Sequence, residues 1–423
     1  MKNSRINAAL VAIALSIAGP AIAAFAETPA PSVPTEKVVA AGNDFGFRLL
    51  HSLIAAGDED NLIVSPLSLS VALAMVFNGA DGSTREAMAR TLGITSLDPE
   101  QINGANHQLL DTLRKADPAV QLQIANALWV KTGFALNTSF VDQTRDYYDA
   151  TAQSLDFFGD PDSAVKTINA WVDRNTQGKI PTIVDKLSRQ TRLVLTDAVF
   201  FKGRWSRPFD RKATQTRSFH LRSGASLMTP MMVQGGKYPY LETPDFQAIR
   251  LTYGSGRFDM YIFLPRESPG VTTHGSAMSR FLKSLDETHW NDWIARMSGG
   301  NEGTIFLPKF ELRYARGLKD ALTSMGMGVA FDPERADLSR IPAQPIRLWI
   351  DFVQHKTYLK VDEEGTEAAA VTAVGVVASA VIAKPKPFEM IVDHPFFCAI
   401  TERDSHAMLF AGIITNPAAH QPP

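Results

Sequence analysis

Between Glu367 and Lys384 the chain carries no charge, no proline and no aromatic ring, only Ala, Val, Thr, Gly, Ser and Ile, within the stretch VDEEGTEAAAVTAVGVVASAVIAKPKPF. A transmembrane helix needs about 20 predominantly apolar residues. This tract is shorter, rich in weakly apolar Ala, and bracketed by charges on both sides, so membrane spanning is a poor reading. Valine-rich and free of proline, it has instead the character of a strand that adds itself to an open sheet edge. The rest of the chain has to supply the place where it inserts.

That place must be held by packing alone. The chain has 423 residues, 45% of them hydrophobic and 20% charged, a globular composition that supports a sizeable core. Its one cysteine, Cys398, sits in the apolar run PFFCAI and reads as a small buried hydrophobe, which rules out an intramolecular disulfide framework. The first 26 residues have a basic start at Lys2 and Arg5, an apolar run from Ile6 and small residues at Ala24 and Ala26. This is the pattern of a secretory signal peptide, with Ala21 to Ala23 as a second cleavage match, so an exported protein, extracellular or periplasmic, is expected. No cysteine follows it to take a lipid anchor.

The formal net charge of −2 gives no global attraction for nucleic acid or anionic membranes, so neither is expected as a partner. Lys202, Arg204, Arg207, Arg211 and Lys212 cluster locally and read as a solvated face.

Residues 27–42 include TPAPSVPTEK, proline-rich and polar, and read as a linker, with folded structure expected from Asn43 to about residue 417 and a tail over 418–423. Phe45, Leu49, Leu50 and Leu53 have helical spacing. NLIV reads as a strand, and SPLSLSVALAMVFNGA as a buried helix capped by Ser65, with Pro66 at the first position, where its missing N–H costs nothing. QLQIANALWV, TRLVLTDAVFFKG, SFHL, SLMTPMMV, FQAIRLTY, FDMYIFLP and GTIFLPKFEL read as strands. SAVKTINAWVDRNTQGK, MSRFLKSLDETHWNDWIARM and LKDALTSMG read as helices. Helices and strands mix without strict alternation, repeat or linker, which predicts one large α+β domain.

Motifs of chemistry are mostly missing. The sequence has no nucleophile elbow, no zinc-protease helix, no P-loop and no dinucleotide fingerprint, and none of its nine histidines pairs at ligand spacing. YGSGRF fits a hairpin turn better than a phosphate cradle. No metal, cofactor or enzymatic activity is expected, although a hydrolase with a triad invisible in sequence remains a separate class.

Seven segments in order, NLIVSPLSLSVALAMVFNGADGSTREAM, LVLTDAVFFKGRWSRPF with Trp205, SFHLRSGASLMTPMM, LPKFEL, HKTYLKVDEEGTEAAA, HPFFCAI and LFAGIITNP, resemble the serpin family of serine protease inhibitors along essentially the whole mature chain. The likeness is to a secreted, bacterial-type member. It implies three β-sheets, about eight to nine helices and an exposed reactive-centre loop, here about 364–388. It also implies a mechanism: a protease cuts the loop as bait, and the part before the cut inserts as a new strand, the release of stored strain.

What the resemblance implies for single residues follows the same segments. The hinge falls on Glu364, Gly365, Thr366, Glu367, Ala368, Ala369 and Ala370. The bait bond falls at Ser379–Ala380, with Val377, Ala378 and Val381 as alternatives. Side chains alternate along a strand, so Thr366, Ala368, Ala370, Thr372, Val374 and Val376 would share the buried face, and each is small or β-branched. A small bait residue points to an elastase-like or subtilisin-like serine protease, with a cysteine protease as the alternative, met by a monomeric inhibitor. Ser65, Ser68, Asp197 and His355 match the shutter beneath the main sheet, with Asp197 where the family has asparagine. From this departure a partly buried, charged Asp197–His355 pair is expected. The competing reading is a non-inhibitory serpin acting as a binding or chaperone-like module, in which bulky, charged or proline residues typically spoil the hinge; here they do not.

Overall fold

The computed structural model describes residues 33–57, 60–267, 276–297, 299–366 and 387–419. Three β-sheets and nine α-helices are found among the described residues, the α+β organisation expected.

The main sheet runs in the order Phe310–Gly317, Phe352–Val361, Leu193–Arg204, Val120–Lys131, Thr151–Leu155. At its centre, Phe352–Val361 and Leu193–Arg204 lie parallel, from Phe352 against Val194 to Tyr358 against Phe200. Both neighbours beyond them are antiparallel, Phe310–Gly317 to the first and Val120–Lys131 to the second. Two parallel strands side by side, each with an antiparallel outer partner, leave room in the pattern for one further antiparallel strand between them.

Successive residues of the central strand Leu193–Arg204 face opposite ways. Leu193, Leu195, Val199 and Phe201 enter the large core, whereas Val194, Ala198 and Phe200 enter a smaller one. The smaller core is capped by helix Pro161–Asn175, through Ala164, Ile168 and Val172, and by Ile180, Ile183, Val184 and Leu187 of the segment that follows it. On the other side lies helix Pro66–Phe77, which carries no charge and is buried along its length. Its start is set locally: Ser65 accepts from the Ser68 amide and Pro66 occupies the first turn.

The second sheet joins Leu62–Val64, Met408–Ile414, Phe396–Glu402, Phe258–Pro265, Phe246–Tyr253 and Tyr240–Glu242. The third joins Phe388–Ile391, Asn301–Pro308, Ser226–Tyr238 and Gln215–His220. YGSGRF closes the Phe246–Tyr253 and Phe258–Pro265 hairpin, with Gly254 and Gly256 at positive φ. Cys398 is buried in this second sheet, and burial pushes its thiol up to about 12.

The structure corrects the linker. A helix spans Val33–Ala55, so residues 33–42 are helical rather than a linker. Pro34 falls in the first turn, where the helix has no use for its N–H. Val38 and Val39 are buried, and Thr35 Oγ donates to Gln108 Oε1 at 2.7 Å. GTIFLPKFEL is also divided: Asn301–Pro308 belongs to the third sheet and Phe310–Gly317 to the main one, with Lys309 at the crossing. MSRFLKSLDETHWNDWIARM breaks into Ser276–Ser284 and Glu287–Arg296, because Asp286 caps the second helix by accepting from the His289 amide. The helices Pro99–Lys115 and Thr138–Tyr148 escaped the sequence reading; Asp98 and Gln101 form a capping box that marks the first.

Candidate functional site

The parallel seam between Phe352–Val361 and Leu193–Arg204 is pinned near its middle by a buried polar cluster. Asp197 and His355 are cross-strand partners, both fully buried. His355 Nδ1 bonds to Asp197 Oδ1, and the Ser68 hydroxyl donates to Asp197 Oδ2. The Ser65 amide meets His355 Nε2 at 3.2 Å. An amide can only donate, so Nε2 is the accepting nitrogen and the proton sits on Nδ1, directed at the carboxylate. The ring is therefore neutral. The expected partly buried charged pair is instead a fully buried carboxylate receiving one imidazole N–H and one hydroxyl, which are the two hydrogen bonds that make its burial tolerable.

All four expected shutter residues thus converge, and the structure adds a fifth. Asn126, from Val120–Lys131, is the direct cross-strand partner of Asp197, and its Nδ2 donates to the Ser68 carbonyl at 3.3 Å. The cluster does contain an asparagine, supplied by the neighbouring strand. Its sequence signal was slight: one polar residue at the centre of QLQIANALWV, facing the core. With these bonds three strands are tied to the first turn of helix Pro66–Phe77.

At the upper end of the seam the arrangement differs. After Val361 the chain turns back on itself: the Asp362 amide donates to the Gly365 carbonyl at 2.8 Å, and the Gly365 amide to the Asp362 carbonyl at 3.2 Å. Gly365–Thr366 then pairs antiparallel with the central strand, Gly365 with Arg204 and Thr366 with Gly203. Gly365 has φ +138°, and a Cβ there would lie 2.1 Å from the Gly203 carbonyl oxygen, so no other residue fits. The first two residues of a strand are already in the seam.

Several groups hold this turn. The Trp205 indole N–H donates to the Asp362 carbonyl and its amide to the Glu364 carbonyl, both at 2.9 Å. Trp205 stacks on Tyr253 with centroids 4.2 Å apart. Glu363 is buried; Lys309 Nζ stands 2.9 Å from its Oε2, and the Thr214 hydroxyl donates to its Oε1 at 2.8 Å. Burial works against the Glu363 charge, but the bonds from Lys309, its own backbone and Thr214 outweigh it and hold the carboxyl below its ordinary value. Arg211 pairs with Glu364 Oε1, while Glu364 Oε2 is buried and has no hydrogen-bond partner among the described residues. Lys309, Thr214 and Arg211 were not anticipated as part of the hinge. Arg204, Arg207, Arg211 and Lys212 are exposed, as expected of a solvated face, and Lys202 is half-buried; Arg211 reaches Glu364 from that face.

Of the hinge residues, Glu364, Gly365 and Thr366 are described. Glu367, Ala368, Ala369 and Ala370, the bait bond Ser379–Ala380, and the alternatives Val377, Ala378 and Val381 lie outside the described residues.

The family model for serpins (serine protease inhibitors) matches residues 40–417. A serpin-like protein of Thermococcus kodakarensis is 36% identical, the match covering 90% of this chain and 86% of the relative. The leukocyte elastase inhibitor of Xenopus laevis is 34% identical, over 90% of this chain and 100% of the relative. Among solved structures, the thermophilic serpin tengpin in its native state superposes with a TM-score of 0.80 at 28% identity, covering 91% of this chain and 95% of tengpin. Human thyroxine-binding globulin complexed with thyroxine gives a TM-score of 0.82 at 27% identity, covering 91% of this chain and 100% of its own. The chain belongs to the serpin family, whose members are generally protease inhibitors rather than enzymes.

Proposed function

We propose that this chain is a secreted suicide-type inhibitor of a serine protease, with a loop that inserts between Phe352–Val361 and Leu193–Arg204 once cut. The observation that carries the reading is the antiparallel pairing of Gly365–Thr366 with Gly203–Arg204. Extending that register down the central strand sets position 368 against Phe201, 370 against Val199, 372 against Asp197, 374 against Leu195 and 376 against Leu193. The partners with established packing, Phe201, Val199, Leu195 and Leu193, face the large core. Even-numbered loop positions would therefore be buried, and the sequence provides Ala368, Ala370, Thr372, Val374 and Val376 there. Thr372 would arrive between Asp197 and His355, where its hydroxyl can replace the bond that insertion breaks.

A new strand of this length adds about ten ladder hydrogen bonds at roughly 0.5–1.5 kcal/mol each, besides burying valines. That sum rivals the roughly 5–15 kcal/mol that stabilises a typical domain, so the uncut chain would be held kinetically. In the trapping reaction the protease serine oxygen attacks the Ser379 carbonyl carbon, the Ser379–Ala380 bond breaks, and Ala380 leaves as the amine carrying the proton. Insertion must then outrun hydrolysis of the ester.

The small residues around the bait bond favour elastase-like or subtilisin-like targets, and similarity to an elastase inhibitor supports that choice. A non-inhibitory role is the second reading, since thyroxine-binding globulin shares the fold. The test is to mix the mature protein with elastase and with subtilisin and look for a covalent complex that survives SDS. Cleavage without such a complex would favour the binding reading. Export follows from the basic and apolar pattern of residues 1–26, and N-terminal sequencing of protein recovered outside the cytoplasm would check it.

A further inference from the structure

The chain leaves the third sheet at Ile391 and enters the second at Phe396. The crossing between them is bonded through its backbone to the sheet it leaves: the Val392 amide donates to the Phe306 carbonyl at 2.9 Å, and the Asp393 carbonyl accepts from the His220 amide at 2.7 Å. Its side-chain link to the second sheet is His394. Nε2 of that ring lies 2.8 Å from the carbonyl oxygen of Pro265, the last residue of strand Phe258–Pro265, and Nδ1 lies 2.8 Å from Asp393 Oδ1.

A carbonyl only accepts, so Nε2 carries a proton; a carboxylate also only accepts, so Nδ1 carries one as well. Both bonds exist together only in the imidazolium. His355 is the opposite case, since its Nε2 takes an amide N–H and its ring is neutral. The His394 side chain is 17% exposed, enough to exchange a proton with water. Burial opposes its charge, but the bonds to Asp393 and Pro265 and the charges of Asp393 and Glu267 outweigh it and raise its pKa above the ordinary histidine value.

The other charged groups on the elements that meet here are engaged or exposed. Glu267 accepts from the Ser276 hydroxyl and the Ala277 amide, Arg266 pairs with Glu242, Arg280 donates to Ser276 Oγ and to the Arg266 carbonyl, and His220 Nδ1 lies 2.9 Å from Ser226 Oγ. Asp245 and Glu389 are exposed.

We propose that His394 is a proton-operated clasp between the second and third sheets: protonated, it ties Asp393 to the Pro265 carbonyl, and deprotonated, it gives up one of the two. The strand it steadies, Phe388–Ile391, is where the chain returns from the candidate reactive-centre loop, so the clasp sets how firmly the far end of that loop is anchored. Its contribution is complete below about pH 6.5, the ordinary histidine value, and is lost as pH rises through the higher folded value. The clasp stands whether or not the chain traps a protease.

The test is amide hydrogen exchange of the whole protein from about pH 5.5 to about pH 8.5, the range in which histidines titrate, expressed as protection factors to remove intrinsic base catalysis. It is paired with an NMR titration of the histidine Cε1–H signals, that of His394 being assigned by its loss in His394→Gln. The expected result is a His394 midpoint above about 6.5 and a fall in protection over residues 388–397 of about tenfold or more across that midpoint, the size of one charge-assisted hydrogen bond. His394→Gln should flatten the fall, Asp393→Asn should lower the His394 midpoint, and Lys212→Gln should change neither. If His394→Gln fails to fold, Asp393→Asn, which leaves the ring in place, decides by whether one histidine midpoint drops. A His394 midpoint at or below the ordinary value, a midpoint unmoved in Asp393→Asn, or a fall in protection that survives His394→Gln overturns the clasp.

Discussion

The central strand Leu193–Arg204 is held differently at its two ends. Around Asp197 it is locked: parallel pairing on one side, antiparallel on the other, and a carboxylate whose two oxygens are both engaged by buried donors. At Gly203–Arg204 a two-residue antiparallel strand pairs with it, held through a glycine no side chain could replace and beside a glutamate with one buried oxygen unpartnered among the described residues. If the loop inserts as proposed above, the satisfied cluster would resist opening and the hinge would be where opening starts.

The largest effect is expected at the entrance. Thr366→Arg would force a charge into the face that continues toward Phe201 and Val199, at a cost of several kcal/mol on insertion. The variant should be cut by protease and yield no SDS-stable complex; normal trapping would show that the face assignment is wrong. Next comes the lock. His355→Ala removes the imidazole N–H from a buried carboxylate and the acceptor from the Ser65 amide, and should cost roughly 3 kcal/mol, read by urea unfolding. Asp197→Asn keeps one acceptor oxygen for the imidazole N–H and turns its NH2 to the Ser68 hydroxyl, which can accept instead, and should cost clearly less. An equal loss in the two variants would mean that the cluster is not held together by the bonds described.

The smallest effect is at the hinge latch, where Lys309 is partly exposed. Lys309→Ala should cost about 1 kcal/mol and speed amide exchange at residues 363–366. The Glu363 carboxyl is held low in the folded chain, so its contribution is complete above about pH 4.3, the ordinary glutamate value, and is lost as pH falls through the lower folded value. That acid dependence of hinge exchange should be weaker in Lys309→Ala; an unchanged profile would remove Lys309 from the latch.

What the sequence made legible was local or carried by order along the chain. Ser65 and Pro66 announce a helix start by themselves. What stayed hidden depends on partners brought together by folding. Asn126 looks like one polar residue in a strand until its register opposite Asp197 is known. Arg211 is on the exposed basic surface as read, but its pairing with Glu364 was not legible, and Lys309 looked like the middle of one strand until Pro308 proved to be where the chain changes sheets. The helix from Val33 was masked by Pro34, since prolines near a chain start read as linker whether or not they sit in a first turn.

The most direct test of a seam built to receive its own loop is the melting temperature of the chain before and after a single cut within residues 377–381, with the fragments kept together. About ten added ladder bonds should raise the melting temperature of the cut form by on the order of 10 °C or more. A cut form that melts at or below the temperature of the intact chain would contradict strand insertion between Phe352–Val361 and Leu193–Arg204.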